Sequence, residues 1–160
     1  MKRHVRYSAL VIVLGLGTQL LFAQQLTVEA AGKKTVLERK DVEALPHVKA
    51  TTGSGPEATE WEGAPLKSVL EKAGVSFGES LRGKRLASCL VVEAADGYRV
   101  VIALPELDAA FTEKQVVLAY LRSGKPLDAK EGPYRIVIPD EKRMARWVRQ
   151  VTKLSVVDVP

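Results

Sequence analysis

The chain has 160 residues, 46% of them hydrophobic and 27% charged, with a formal net charge of +5 and a single cysteine. One cysteine excludes an intramolecular disulfide framework, so the fold has to rest on its core.

The first residues do not read as part of that fold. Lys2, Arg3, His4 and Arg6 precede an uncharged, mostly apolar run from Tyr7 to Phe22 that closes on Ala23, the plan of a secretory signal. Residues 1–23 are therefore expected to be a signal peptide, and residues 24–160 one domain with one core. The run contains Gly15, Gly17, Thr18 and Gln19 and is short beside the roughly 20 strongly apolar residues of a spanning helix. The expected product is exported, periplasmic or secreted, with no membrane attachment after cleavage. Losing Lys2, Arg3 and Arg6 lowers the net charge to +2, which gives no electrostatic case for nucleic-acid binding. Any anion site has to be a local cluster.

Two short β-type runs, "LTVEA" and "TVLE", flank Gly32 and predict a hairpin. "ERKDVEALPHV" predicts one helical turn, capped by Asp41 and ended by Pro46. "HVKATT" and "ATEWEG" read as strands on either side of "GSGPE", a loop long enough to line a pocket. The clearest helix is "APLKSVLEKAG", with Pro65 at its first position, Leu66, Val69, Leu70 and Ala73 on one face, and Gly74 as its stop. "KRLASCLVVEAADGYRVVIAL" predicts a hairpin whose Asp96-Gly97 turn needs positive φ at both residues. A short helix begun at Pro105, a strand "QVVLAYLR", a connecting loop "SGKPLDAKEGP", and two last strands, "YRIVIP" and "VTKLSVVDV", complete the pass.

Several residue types that often carry chemistry have bland explanations here. Cys89 lies in an apolar strand and reads as a small buried hydrophobe. His47 has no partner at a motif spacing for a triad or a zinc site and reads as a surface or turn residue. Asp96 and Tyr98 fit turn formation and cross-strand packing. Glu60 and Glu62 alternate about Trp61 on one outward face, so they do not converge as paired glycosidase carboxylates. Lys142, Arg143, Arg146 and Arg149 fit a solvated face with Trp147 tucked against the core.

Six segments in order, "EGAPLKSVLEKAG", "DGY", "LPEL", "LAYLRSGKPL", "GPYRIVIP" and "RMARWV", resemble the molybdopterin-binding domain of the sulfite oxidase family over about Leu26 to Val159. The resemblance implies an α+β fold, a single mixed, β-rich domain with a few short helices around a deep pocket. That pocket holds a pyranopterin dithiolene bearing molybdenum and ending in a phosphate. It implies that Arg135 and Arg146 hold the phosphate or an anionic substrate, with Lys142 and Arg143 adding positive field. A guanidinium grips such oxygens in a bidentate fork, and the Gly132-Pro133 turn would aim Arg135. The expected partners are a small anion or the pterin cofactor, and a redox partner protein.

One ligand departs from the pattern. Catalytic members of that family present a cysteine thiolate to the metal from the segment before the Trp-x-Gly motif. Here that segment, "KATTGSGPE", offers Thr51 and Thr52 to face the metal. A threonine hydroxyl is a poor donor where a soft thiolate is expected. No metal ligand is therefore assigned, and the resemblance implies an oxidoreductase-like domain without its usual thiolate. The alternative is a non-catalytic envelope module that binds a small anion or a partner protein.

Overall fold

The computed structural model describes residues 25–159; the expected signal peptide, residues 1–23, lies outside them. The first two strands, β1 (Leu26–Ala30) and β2 (Lys33–Leu37), form the expected hairpin. Ala31 and Gly32 both take positive φ at its turn (49° and 73°), the geometry that matches strand twist in two-residue loops.

Helix α1 (Arg39–Glu43) is capped differently from the sequence expectation. Glu38 is its N-cap, and Asp41 sits in the first turn, where its Oδ2 accepts the Glu38 N–H at 2.9 Å. Strands β3 (Val48–Thr52) and β4 (Thr59–Pro65) follow, antiparallel, across a loop with a 3-10 turn at Gly55–Glu57. Helix α2 (Leu66–Lys72) begins one residue later than expected, with Pro65 as its N-cap, and the Leu66 N–H donates to the Val116 carbonyl at 2.9 Å. Its end matches the expectation. Gly74 has φ 94°, and the Gly74 and Val75 N–H groups reach back to the carbonyls of Glu71 and Leu70, a Schellman ending. Leu66, Val69 and Leu70 are fully buried, each contributing about 1.5–3 kcal/mol of apolar burial.

Strands β5 (Ser88–Ala94) and β6 (Arg99–Ala103) make the second hairpin. Its turn corrects the sequence reading. Only Gly97 has positive φ (83°). The Ala94 N–H donates to the Tyr98 carbonyl and the Gly97 N–H to the Ala94 carbonyl, so the loop holds three residues, a tight turn followed by a left-handed glycine. A 3-10 turn occupies Leu104–Leu107. Strand β7 (Val117–Arg122), the two-residue β8 (Lys125–Pro126), β9 (Arg135–Val137) and β10 (Val151–Asp158) complete the described chain.

These strands make two sheets. One has the order β2-β1-β10-β5-β6, with β1 and β10 parallel; the other runs β3-β4-β7-β8, with β9 also on β7. Their buried faces and α2 share a single core that includes Leu26, Leu90, Ile102, Leu118, Ile136 and Leu154. This is the mixed, β-rich α+β domain with few short helices that the sequence predicts. Among the described residues, no helix is long and apolar enough to cross a membrane.

Candidate functional site

Strand β7 is the spine of the site. On one side Arg122 pairs with Trp61 of β4, and on the other Ala119 pairs with Arg135 of β9. The chain beyond β9 returns through a 3-10 turn at Met144–Arg146, and the Ile136 N–H donates to the Val148 carbonyl at 2.8 Å. That stitch lays Trp147 beside Arg135. The Gly132-Pro133 bond ahead of β9 is cis.

Arg135 is 9% exposed and stands between two indoles, its guanidinium carbon 4.9 Å from the Trp61 ring centre and 5.8 Å from that of Trp147. The Arg122 guanidinium also lies over Trp61, at 5.1 Å. Cation–π contacts of this kind are strongest where water is excluded. One carboxylate serves both arginines: Glu131 accepts from Arg135 Nη1 through Oε1 and from Arg122 Nη1 through Oε2 at 3.3 Å. Burial pulls the proton affinity of Arg135 below the ordinary arginine range, and Glu131 beside it pushes the other way. A guanidinium remains charged through such a shift.

Two buried donors here have no hydrogen-bond partner, Arg135 Nε and Trp147 Nε1. Such groups cost about 1–3 kcal/mol each when sealed unpaired, and they are rare enough to call for a cause. Two cavities share Arg135, Met144 and Trp147 as a common wall. The larger, about 670 Å³, is also lined by Asp96, Tyr98, Lys130, Arg149 and Gln150. The smaller, about 370 Å³, is lined by Thr52, Trp61, Arg122, Glu141 and Lys142 among others. Both are of a size for small ligands.

The residues singled out from the sequence are only partly gathered. Arg135, Thr52 and Lys142 meet at the smaller cavity. Thr52 is engaged there, its Oγ1 accepting the Trp61 Nε1 proton at 3.0 Å. Thr51 and Arg143 are exposed and line neither cavity. Arg146 lines neither as well: it is held by Glu141 and by Glu106 at 3.3 Å, bonds that raise its proton affinity above the arginine norm. Arg135 and Arg146 thus share neither cavity.

Sequence reasoning also missed residues. Trp61, Arg122 and Glu131 surround Arg135, yet Arg122 reads simply as the end of an apolar strand. Asp96 and Tyr98 do more than turn the hairpin: Asp96 Oδ1 accepts the Tyr98 N–H at 2.9 Å, the Tyr98 hydroxyl donates to the Ala145 carbonyl at 2.8 Å, and both line the larger cavity. His47, exposed as expected, has its Nε2 at 2.5 Å from the hydroxyl of the buried Tyr120. Cys89 is not a core residue. It is half-buried on the face of β5 opposite Leu90 and Val92, paired with Ala103 and Val157 in the other sheet.

Chemically the site offers N–H donors, aromatic faces and paired carboxylates. No cysteine among the described residues lines either cavity, and the hydroxyls of Thr52 and Tyr98 are engaged with Trp61 Nε1 and the Ala145 carbonyl. Among the described residues, no group of three or more His, Cys, Asp or Glu is placed to hold a metal ion.

Comparison with known proteins agrees with the fold. The family model for the oxidoreductase molybdopterin binding domain matches residues 23–160. A nitrate reductase (NAD(P)H) of Hordeum vulgare is 30% identical over 109 residues, 61% of this chain and 12% of that protein. A nitrate reductase (NADH) of Solanum lycopersicum is 26% identical over 100 residues, 58% of this chain and 11% of that protein. The chain therefore spans about an eighth of the length of these curated relatives.

Proposed function

Because the chain belongs to the oxidoreductase molybdopterin binding domain family, we propose that it is an exported, oxidoreductase-like domain that holds a molybdopterin cofactor against Arg135 and Trp147. The observation that carries this reading is the pair of buried donors, Arg135 Nε and Trp147 Nε1, which have no protein acceptor and belong to the two residues that, with Met144, wall both cavities. A phosphate or pterin oxygen is the acceptor they lack. The indoles of Trp61 and Trp147 add apolar faces suited to a flat heterocycle, and Lys130, Lys142 and Arg149 add positive field at the walls.

The residues thus fit the organic, anionic part of the cofactor. They do not fit its usual protein ligand, because Cys89 stands in the other sheet and Thr52 already accepts from Trp61. When bound, the cofactor supplies two-electron redox chemistry. The chain's own part is to bind it: Arg135 grips its oxygens, the tryptophans exclude water, and the larger cavity leaves room for a small anion. Electrons would pass to or from a separate redox partner protein. Nitrate reduction belongs to the named relatives as whole proteins and is not carried over to this domain.

The missing thiolate favours a second reading, an envelope module that uses the same basic cavity for a small anion or a partner protein without catalysis. One experiment separates the two. Protein exported by a molybdenum-replete host is analysed for molybdenum and, after oxidation, for pterin fluorescence. Stoichiometric pterin that is lost in Arg135→Gln supports the cofactor reading. Pterin-free protein that phosphate or sulfate stabilises by ligand linkage supports the module instead. Export itself is checked by the mass of the mature chain, expected to begin at Gln24.

A further inference from the structure

The ion pair between Glu131 and Arg135 has the geometry of an occupied binding site. Glu131 Oε1 accepts from Arg135 Nη1, which is what a ligand oxygen would do there. We infer that Glu131 is an internal stand-in for the ligand, a carboxylate that an incoming oxyanion displaces from Arg135 and that thereby sets the affinity and selectivity of the site. The inference rests on the anion-binding reading of the cavities given above.

Three observations support the exchange. First, the backbone of Glu131 is pinned, so a change of partner at Arg135 falls to its side chain alone. Its N–H donates to the carbonyl and to Oδ1 of Asp128, at 3.1 and 3.0 Å, and its carbonyl accepts the Gln150 N–H at 2.9 Å. Second, the displaced carboxylate keeps a partner. Its other oxygen already accepts from Arg122 Nη1 at 3.3 Å, so release from Arg135 does not strand a negative charge, which would be costly at 14% side-chain exposure. Third, Glu131 engages the guanidinium through one oxygen on Nη1, whereas an oxyanion that takes Nη1 and Nη2 together completes a bidentate end-on fork.

The arrangement also explains why one carboxylate is placed between two arginines. Each guanidinium leans on Trp61, at 5.1 Å for Arg122 and 4.9 Å for Arg135, so neither has to move when Glu131 changes partner. A weakly bonding anion such as chloride cannot outbid a carboxylate for the fork. An oxyanion with two oxygens to offer can, which makes Glu131 a filter as well as a competitor.

The probe is inorganic phosphate, titrated at ionic strength held constant with sodium chloride. The readout is the fluorescence of Trp61 and Trp147, the only two tryptophans, checked by calorimetry. Glu131→Gln is expected to bind phosphate about tenfold more tightly than wild type, because one charge-assisted bond no longer has to be broken first. Arg122→Gln is expected to bind it more weakly, since Glu131 then has no second cation to move to; this arm also decides the matter if Glu131→Gln does not fold. Phosphate affinity that is unchanged or lower in Glu131→Gln, or unchanged in Arg122→Gln, while Arg135→Gln abolishes binding, overturns the inference and leaves the anion site standing. Wild-type affinity in Arg135→Gln overturns the anion site itself.

Discussion

Arg146 and Glu106 close the open edge of the first sheet between them. Strand β6 pairs with β5 on one side only. On its other side the Val101 carbonyl accepts from Arg146 Nη1 at 3.5 Å, and the Ala103 N–H donates to Glu106 Oε1 at 3.3 Å, while the two side chains bond each other. Burial pushes the Glu106 carboxyl up, but the hydrogen bonds from Arg146, Lys114 and Ala103 outweigh it and hold the group below its ordinary range. Unpaired strand edges invite association with other chains, and native folds cover them.

Replacing Arg146 with alanine is therefore expected to act on the edge and not on the cavities. Stability should fall by about 1–3 kcal/mol as Glu141 loses the donor that holds it and Glu106 keeps only Lys114 and the Ala103 N–H, and sedimentation should reveal self-association. Phosphate affinity should match wild type. A variant that stays monomeric but loses phosphate would return Arg146 to the site.

Trp147→Phe separates binding from stability. The change deletes a buried indole N–H that has no partner and keeps an aromatic body against Arg135. Unfolding free energy is expected to stay within about 1 kcal/mol of wild type, because the lost area and the removed orphan donor offset each other. Pterin or phosphate binding is expected to weaken several-fold. A large stability loss with unaltered binding would mean the indole N–H serves the fold.

Gly63 is a packing requirement. A Cβ there would lie 2.1 Å from the Leu118 carbonyl oxygen and 2.7 Å from the Ala119 Cα, both backbone atoms of β7 that cannot yield without breaking the β4–β7 pairing. Gly63→Ala is expected to cost about 4 kcal/mol or more, at the severe end of single substitutions. Circular dichroism melting of purified protein, or its failure to accumulate, provides the test.

Asp108 makes the fold acid-sensitive. The residue is 3% exposed and accepts from the Gly78 N–H at 2.7 Å, the Ala110 N–H at 3.2 Å and Lys67 Nζ at 3.2 Å. The backbone bond from Gly78 leads in holding its carboxyl below the usual value of 3.8, although burial works against it. A lowered folded-state value stabilises the protein above the unfolded value and is lost as pH falls through the folded one. Wild-type melting temperature should thus drop increasingly from about pH 4 downward, and Asp108→Asn should flatten that slope while costing about 2 kcal/mol at pH 7. Parallel pH profiles for the two proteins would rule Asp108 out as the cause.

The elements were legible in the sequence where one rule governs them. The 3.6-residue spacing of Leu66, Val69, Leu70 and Ala73 with Gly74 behind them specifies α2, and the dipeptide Asp96-Gly97 marks a hairpin. What escaped was decided by neighbours remote in sequence. Whether the Asp-Gly loop holds two residues or three depends on the register of β5 against β6. Arg135 stands in the "GPYR" segment that the sequence singles out, but Glu131, four residues earlier, shows nothing of its hold on Arg122 until β7 and β9 pair. Arg146 looked like a pocket residue because charge along a chain carries no sign of which partner will claim it. Cys89 sat in an apolar strand whose outer face, not its inner one, carries the thiol.

The parallel contact between β1 and β10 joins the start of the domain to its finish. β10 is the keel of its sheet, with β1 and β5 fastened to either flank, yet it is made after every other described strand. Until then the opening hairpin has no neighbour to lie on, and a lone two-stranded ribbon is marginal in water. Contacts spanning so much of the chain form late. The sheet that holds β1, β2, β5 and β6 therefore waits on β10 for its centre.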